Sequence, residues 1–184
     1  NSSGQRFISE DAYHGVVGDA IAFHQSGRAW LITDQRSAYT GLVDNFLPVV
    51  TANSISDVAG QLPLPKGALQ HTVAFYNRFA AIGEDPMFHK SAKHLRPLQG
   101  PPYTAWDLSV KNAFFAAHTL GGLDTTVDGC VLDGYGDPIP GLYAAGRTSA
   151  GLPTAPYLAS GLSVGDCTFF GRRAGRAAVA GGCT

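Results

Sequence analysis

The sequence predicts an α/β protein built from two parts, and three observations carry that expectation. The apolar, partly β-branched run Ala29-Trp30-Leu31-Ile32-Thr33, bounded by Gly27 and Asp34, reads as a strand. Leu69, Val73, Tyr76 and Ala80 recur at helical spacing and mark a helix over 67–83. From Gly121 the character changes to strand, glycine turn, loop and helix, which suits a binding scaffold better than a helical bundle.

The elements follow in order. Asp11 to Phe23 is a short helix candidate, weakened by Gly15 and Gly18. Leu47-Pro48-Val49-Val50 is a weaker strand than 29–33. The helix over 67–83 has Pro65 before it and Gly83 after it as boundary signals. Pro86, Pro97, Pro101 and Pro102 make 84–105 an extended connection, and Asp107 to Phe115 reads as either a short strand or a helix. Cys130-Val131-Leu132-Asp133 is a short strand, followed by the turn Gly134-Tyr135-Gly136-Asp137-Pro138. Gly141-Leu142-Tyr143-Ala144-Ala145-Gly146 is expected as a buried strand ending in Gly. A loop over 147–162 leads to a final helix, Ser163 to Ala180, with Ser163 as its N-cap and small residues that permit close packing.

Composition narrows the function. The chain has 184 residues, enough for one domain or pieces of two. Hydrophobic residues at 45% against 15% charged exclude a disordered tail. A formal net charge of -1 gives no field to draw nucleic acid or an anionic membrane. No apolar run reaches the roughly 18 residues of a membrane helix, and no signal peptide is recognisable, so the expected location is cytoplasmic. Cys130, Cys167 and Cys183 are odd in number and lack metal-ligand spacing. They read as small apolar residues or a free thiol, and nothing in them demands an oxidising compartment. His14, His24, His71, His89 and His94 show no metal spacing, and no G-x-S-x-G nucleophile element is present. A start at Asn1-Ser2-Ser3 without Met is expected of processing or fragmentation.

A helix that begins near Ser163 aims free N–H groups and a partial positive charge at whatever precedes it. The pyrimidine edge of a reduced flavin carries negative charge that such a terminus would stabilise. The wording of the segment makes this specific. Pro140-Gly141-Leu142-Tyr143-Ala144-Ala145-Gly146 resembles the C-terminal FAD-contact strand of the fumarate reductase/succinate dehydrogenase flavoprotein superfamily. Ser163-Val164-Gly165-Asp166 with Phe170-Gly171-Arg172-Arg173-Ala174-Gly175 resembles that family's closing helix. His118-Thr119-Leu120-Gly121-Gly122 resembles its His-Thr-x-Gly-Gly turn, and Gly4-Gln5-Arg6-Phe7-Ile8-Ser9-Glu10 resembles its capping-domain motif. These four motifs lie in the family's order across nearly the whole chain.

The resemblance implies a fold: most of a substrate-capping domain over 1–116, then the C-terminal part of a Rossmann-like FAD-binding domain over 117–184. It also implies roles. Gly146 and Arg147 would lie near the FAD ribityl and pyrophosphate, although most members carry Glu where Arg147 stands. Ser163 and Val164 would present backbone groups to the flavin pyrimidine edge. His118, Gly121 and Gly122 would lie near the isoalloxazine, and a structural role for His118 stays open.

On the substrate side, the fumarate and succinate enzymes use cationic and polar anchors for a dicarboxylate. At the matching positions this sequence has Tyr13, Leu158 and Ala117, which would leave a dicarboxylate unpaired. Tyr157-Leu158-Ala159-Ser160-Gly161 is instead similar to the Tyr-x-x-x-Gly element of the 3-ketosteroid dehydrogenases. There the Tyr157 hydroxyl and the Gly161 N–H would hold a ketone oxygen, and Tyr13 would occupy the position of the base. Two donors on one carbonyl acidify the neighbouring C–H, as an oxyanion hole does. Leu152, Pro153, Pro156 and Leu158 would suit a flat apolar ligand. Tyr157 and Tyr13 as ordinary packing aromatics, and Tyr103 as a pocket or turn residue, remain open alternatives.

The G-x-G-x-x-G fingerprint for the FAD pyrophosphate is absent from these residues. The resemblance therefore implies either that an N-terminal FAD-binding half is supplied by another chain, through a split or a cleavage, or that the chain is a fragment. An alternative from a different class is a non-catalytic scaffold or regulatory subunit that keeps the flavoprotein fold.

Overall fold

The computed structural model describes residues 1–37, 48–112, 119–155 and 157–183. Backbone contacts divide the chain into two units, Asn1–Phe115 and Ala116–Thr184. Each unit has its own elements and is described by itself.

The first unit is built on a three-stranded antiparallel sheet. Its strands are β1 (Trp30–Thr33), β2 (Val50–Ala52) and β3 (Tyr103–Asp107), in the order β1-β3-β2. Leu31 faces Trp106 across one ladder and Thr51 faces Thr104 across the other. The centre of the sheet is thus the tail of the segment expected to be a plain extended connection. Its prolines stop at Pro102, and the following Tyr-Thr-Ala-Trp run combines aromatic and β-branched residues that favour a pleated, half-buried strand. Every residue of β3 can donate to a ladder, which a proline cannot. Asp107 ends the strand and Val110–Asn112 forms a 3₁₀ turn, while 113–115 lie outside the described residues. At the end of β1 the buried Trp106 Nε1 donates to Thr33 Oγ1 at 3.0 Å, so the indole carries no unmet donor into the core.

Two helices cover the sheet. Helix α2 (Ile55–Gly60) packs on β2 and β3, and α3 (Ala68–Ala80) packs on α2. Their apolar residues Val58, Leu69 and Val73, with Leu62 from the connection between them, join Val50 and Ala105 in one buried cluster. Helix α2 has a readable start, since Ser54 Oγ accepts the Asp57 N–H at 3.0 Å as an N-cap. Near the N-terminus, α1 (His14–Asp19) runs into a π-helical turn, Ala20–His24. It begins later than Asp11 because Tyr13 is extended, with φ -58° and ψ 134°.

The Gly-x-Arg-Phe segment is fixed to this unit by charge. Arg6 donates Nη1 and Nη2 to Asp85 at 2.8 Å each, and its Nε and Nη2 to Glu10 at 2.7 and 2.9 Å. Its guanidinium lies 4.9 Å from the Tyr76 ring centre and 5.0 Å from that of Phe88. Lys90 Nζ approaches Glu10 at 3.3 Å and completes the cluster. Asp34, just after β1, plays a comparable part. Burial opposes its ionisation, but hydrogen bonds from Ser37, the Gln99 N–H and Arg36 outweigh that cost and hold its pKa at about 2.

The second unit contains a hairpin and the longest helix. Strands β4 (Cys130–Leu132) and β5 (Pro138–Tyr143) pair antiparallel, with Cys130 opposite Tyr143. Asp133 Oδ1 closes the connecting turn by accepting the Tyr135 and Asp137 N–H groups at 2.8 and 3.0 Å. Strand β5 was expected to be buried and to run to Gly146. It ends at Tyr143 and is largely exposed, because β4 is its one partner among the described residues. Gly146 is buried and opens a 3₁₀ turn, Gly146–Thr148. Helix α4 (Leu162–Ala180) packs its Ala174 against Gly129, where an added Cβ would sit 2.5 Å from the alanine methyl.

The cysteine reading needs correction. Cys130 and Cys183 are both buried and joined by a disulfide with Cα atoms 5.8 Å apart, while Cys167 is an exposed free thiol. Counting and spacing could not show the pair, because the two residues meet only when α4 returns the chain to β4. Among the described residues no helix is long and apolar enough to cross a membrane, and no group of acidic, His or Cys side chains could hold a metal.

Candidate functional site

The head of α4 brings together side chains from three segments of the second unit. The chain turns into the helix at Gly161, which has φ +85°, a left-handed conformation that disfavours any other residue. Ser163 was expected as the N-cap. It lies one residue inside the helix, and Gly161, which has no side chain, holds the N-cap position. The Ser163 hydroxyl is engaged elsewhere. Ser163 Oγ lies 2.7 Å from the Tyr157 hydroxyl and accepts from Arg147 Nη2 at 2.6 Å. Ser163 N–H donates to the Tyr157 hydroxyl at 3.1 Å. Arg147 also donates Nη1 to the Thr119 carbonyl at 3.0 Å, and its guanidinium carbon sits 5.7 Å from the Tyr157 ring centre. The hydrogen bonds with the Ser163 side chain and N–H lower the Tyr157 pKa from its ordinary value, against the opposing effect of burial, and the Arg147 charge adds a smaller lowering.

Beside this network is a shallow, solvent-open depression, lined by Thr119, Gly146, Arg147, Ser163, Asp166 and Cys167 among others. Backbone hydrogen bonds tie the segment after Gly122 to the turn that follows Gly146. Leu123 N–H donates to the Thr148 carbonyl at 2.8 Å, and Ala150 N–H to the Leu123 carbonyl at 2.9 Å. Asp166 was given no role from sequence. It is 2% exposed and accepts the Leu152 N–H at 3.0 Å, and an added Cβ on Gly151 would meet its carboxylate at 2.6 Å. An acid set among the small residues of α4 is the signal that could have found it.

The residues expected at the site stand as follows. Tyr157, Gly161, Ser163, Val164, Gly146 and Arg147 gather at the head of α4, with Val164 exposed. Gly121 and Gly122 lie on the segment leading to the Leu123–Ser149 bridge. His118 and Pro156 lie outside the described residues. Leu152 and Leu158 are exposed, and Pro153 is buried. Tyr13 belongs to the first unit, where it precedes α1 with its ring 4.2 Å from that of His14. Tyr103 is half-buried in β3 against the first unit's core.

The two glycines separate cleanly. At Gly122 a Cβ would meet the Thr148 carbonyl oxygen closer than any real contact, with the Thr148 and Ser149 carbonyl carbons at 2.7 and 2.8 Å. At Gly121 nothing lies within 4 Å. Gly122→Ala is expected to cost about 1–3 kcal/mol by forcing the backbone apart. Gly121→Ala should stay within about 0.5 kcal/mol. Urea unfolding of the two variants checks this, together with amide exchange at Leu123 and Ala150, which should speed up only in Gly122→Ala.

Comparison with known proteins decides the family. A family model described as FAD binding domain matches residues 1–163. The chain belongs to the FAD binding domain family. FAD is the cofactor of that family, and the geometry fits part of such a ligand. Gly161 stands at the N-cap of the 19-residue helix and brings no side chain to its head, where the Tyr157 hydroxyl meets the Ser163 N–H. The backbone at Gly121 and Gly161 stands open, with nothing within 4 Å of an added Cβ.

A solved relative is the 3-ketosteroid-Δ4-(5α)-dehydrogenase of Rhodococcus jostii RHA1 in complex with 4-androstene-3,17-dione. It is 43% identical over 97% of this chain and 37% of its own, with a TM-score of 0.80. The structure of a flavocytochrome c3 fumarate reductase in its open conformation matches all of this chain and 32% of its own, at 27% identity and a TM-score of 0.65. Among curated proteins, the NADH:acrylate oxidoreductase of Vibrio harveyi is 31% identical over 97% of this chain and 18% of its length. The chain thus spans between about a fifth and two fifths of these relatives. As a member of the FAD binding domain family it is a mixed helix-and-strand portion of an FAD-dependent oxidoreductase fold, and its relatives include both ketosteroid dehydrogenases and reductases.

Proposed function

We propose that the protein containing this chain is an FAD-dependent enzyme that removes or adds hydrogen across a carbon–carbon bond next to a ketone, with a 3-ketosteroid or similar apolar enone as substrate. The observation that carries this reading is the Tyr157–Gly161 turn, which sets the Tyr157 hydroxyl and the Gly161 backbone at the head of α4. The similarity to a ketosteroid dehydrogenase in complex with its steroid supports it. In this reading the Tyr157 hydroxyl and the Gly161 N–H donate to the ketone oxygen and acidify the neighbouring C–H. Tyr13 moves the proton. A free tyrosine titrates near 10, so this role needs help from neighbours.

Gly121, Gly122, Gly146, Arg147, Ser163 and Val164, with His118, make up the FAD side. When bound, FAD would supply the hydride acceptor or donor. Residues 1–116 are then the substrate-capping domain and 117–184 the end of the FAD-binding domain. The contact division after Phe115 supports that boundary.

The test is the visible spectrum of the natively purified protein before and after anaerobic addition of a 3-ketosteroid. The expected result is a flavin spectrum that bleaches on addition. A flavin spectrum that stays unchanged rejects the steroid, and absence of flavin rejects the enzymatic reading in favour of a scaffold.

A further inference from the structure

We propose that Asp166 is a positioning residue for the candidate substrate site, pinning the loop over 150–161 across the first turns of α4 so that Tyr157 stays seated at the helix head. This rests on the reading above that Tyr157 and Gly161 hold a ketone.

Asp166 is an acid in an unusual place. It is 2% exposed, whereas the other charged residues of α4, Arg172, Arg173 and Arg176, are exposed. A carboxylate taken out of water costs free energy unless a donor meets it. The donor here comes from the loop, because Leu152 N–H gives its hydrogen bond to Asp166 Oδ1 at 3.0 Å. The loop backbone also lies flat on the carboxylate. An added Cβ on Gly151 would stand 2.6 Å from Oδ1, 2.7 Å from Oδ2 and 2.9 Å from Cγ. The contact therefore admits no side chain at Gly151.

Ser163 and Asp166 are three residues apart, which puts both on one face of α4. Each fastens a different part of the loop to that face. Asp166 takes Leu152, and the Ser163 N–H donates to the Tyr157 hydroxyl at 3.1 Å. The start of the loop is held in turn, since Ala150 N–H donates to the Leu123 carbonyl at 2.9 Å. Losing the Asp166 pin frees the stretch between Ala150 and Tyr157 to lift from the helix. A loop that is docked only part of the time lowers the apparent affinity for its ligand by the docked fraction. Once the ligand has bound, the same donors face it, so the chemical step is little affected. Loss of the pin and loss of the Tyr157 hydroxyl thus act on different kinetic constants.

The experiment uses the full flavoprotein with its FAD. Asp166→Ala removes the pin, Gly151→Ala pushes on it from the loop side, and Asp166→Asn keeps an oxygen for the Leu152 N–H at the same size. Amide hydrogen exchange is followed at Leu152 and Ser163. Both are expected to exchange about tenfold faster or more in Asp166→Ala and in Gly151→Ala, and to stay near the parent in Asp166→Asn. With a 3-ketosteroid, the same two variants should raise KM about tenfold or more and leave kcat within about twofold. The double variant Gly151→Ala/Asp166→Ala should be no worse than Asp166→Ala, since removing the carboxylate makes room for the new methyl group. Should Asp166→Ala fail to fold, Gly151→Ala keeps the test. Faster exchange at Leu152 with Ser163 unchanged overturns the proposal, because the bond would then be local. An unmoved KM with lower kcat and lower flavin content overturns it too and makes Asp166 a residue of the general fold. A parent without steroid turnover rejects the reading above, and exchange at Ser163 then decides by itself whether Asp166 pins the loop.

Discussion

Turnover of a 3-ketosteroid should fall by about 10²–10³-fold when Tyr157 is replaced by Phe, with the flavin retained. The substitution removes one oxygen. That oxygen receives the Ser163 N–H and lies beside Ser163 Oγ, so the helix head loses two hydrogen-bonding contacts and no packing volume of consequence. Both groups sit at a part-exposed helix end where water can replace the phenol, so the fold should persist. The loss is expected in kcat more than in KM, because a polarising donor gains strength as charge develops on the ketone oxygen. Steady-state kinetics with the flavin content measured alongside is the check. Turnover equal to that of the parent would remove the hydroxyl from the chemistry and leave Tyr157 as a packing residue of the loop.

Arg6→Met should destabilise the first unit by about 3–5 kcal/mol. The Asp85 side chain is 2% exposed and that of Arg6 is 11% exposed, so the pair is a buried one. Removing the cation leaves a desolvated carboxylate with only long backbone donors, from Met87 and Phe88 at 3.4 Å and Lys90 at 3.2 Å. The effect should therefore fall toward the lower end of that range. Arg6→Lys should recover only part of it, since an ammonium cannot serve two carboxylates in bidentate fashion or stack between Tyr76 and Phe88.

The same pair predicts a pH dependence. Hydrogen bonds from Arg6, aided by backbone N–H groups and its charge, hold the Asp85 pKa far below the ordinary value despite burial. A depressed carboxylate stabilises the fold fully above its unfolded pKa of about 3.9, and that contribution is lost as pH falls through the folded value. Parent and Arg6→Met should therefore converge in stability in strong acid. Both tryptophans, Trp30 and Trp106, belong to the first unit's sheet, so their fluorescence during urea unfolding reports this unit. A difference below about 0.5 kcal/mol at neutral pH would mean that the cluster behaves as a surface ion pair.

Much of the fold was legible wherever local pattern and tertiary role agree. The periodic residues of α3 and the β-branched run of β1 declare themselves, and the structure has both. Strand β3 was hidden because the prolines before Tyr103 dominate the local reading, whereas its place between β1 and β2 is set by pairing with distant residues. Helix α2 was missed although Ser54 and Asp57 spell a cap, because its six residues are too few to show a period. At the site, the motif residues around α4 could be named from their order in the chain. The bond between Tyr157 and Ser163 could not, since a side chain's choice of partner is decided by the turn at Gly161 and not by spacing. Arg6 shows the reverse case: it was read as a motif letter, and the structure makes it the centre of a charge cluster.

The disulfide between Cys130 and Cys183 closes a covalent ring across a sequence separation of 53 residues. Arg147, Tyr157, Gly161 and Ser163 all lie inside that ring. A single cut of the backbone anywhere in the loop over 147–162 would leave the two pieces tethered, with the head of α4 unable to diffuse away from the hairpin that carries β4. The segment that holds the candidate site is thus a macrocycle, and its integrity as one molecule rests on two sulfur atoms that have no part in the chemistry.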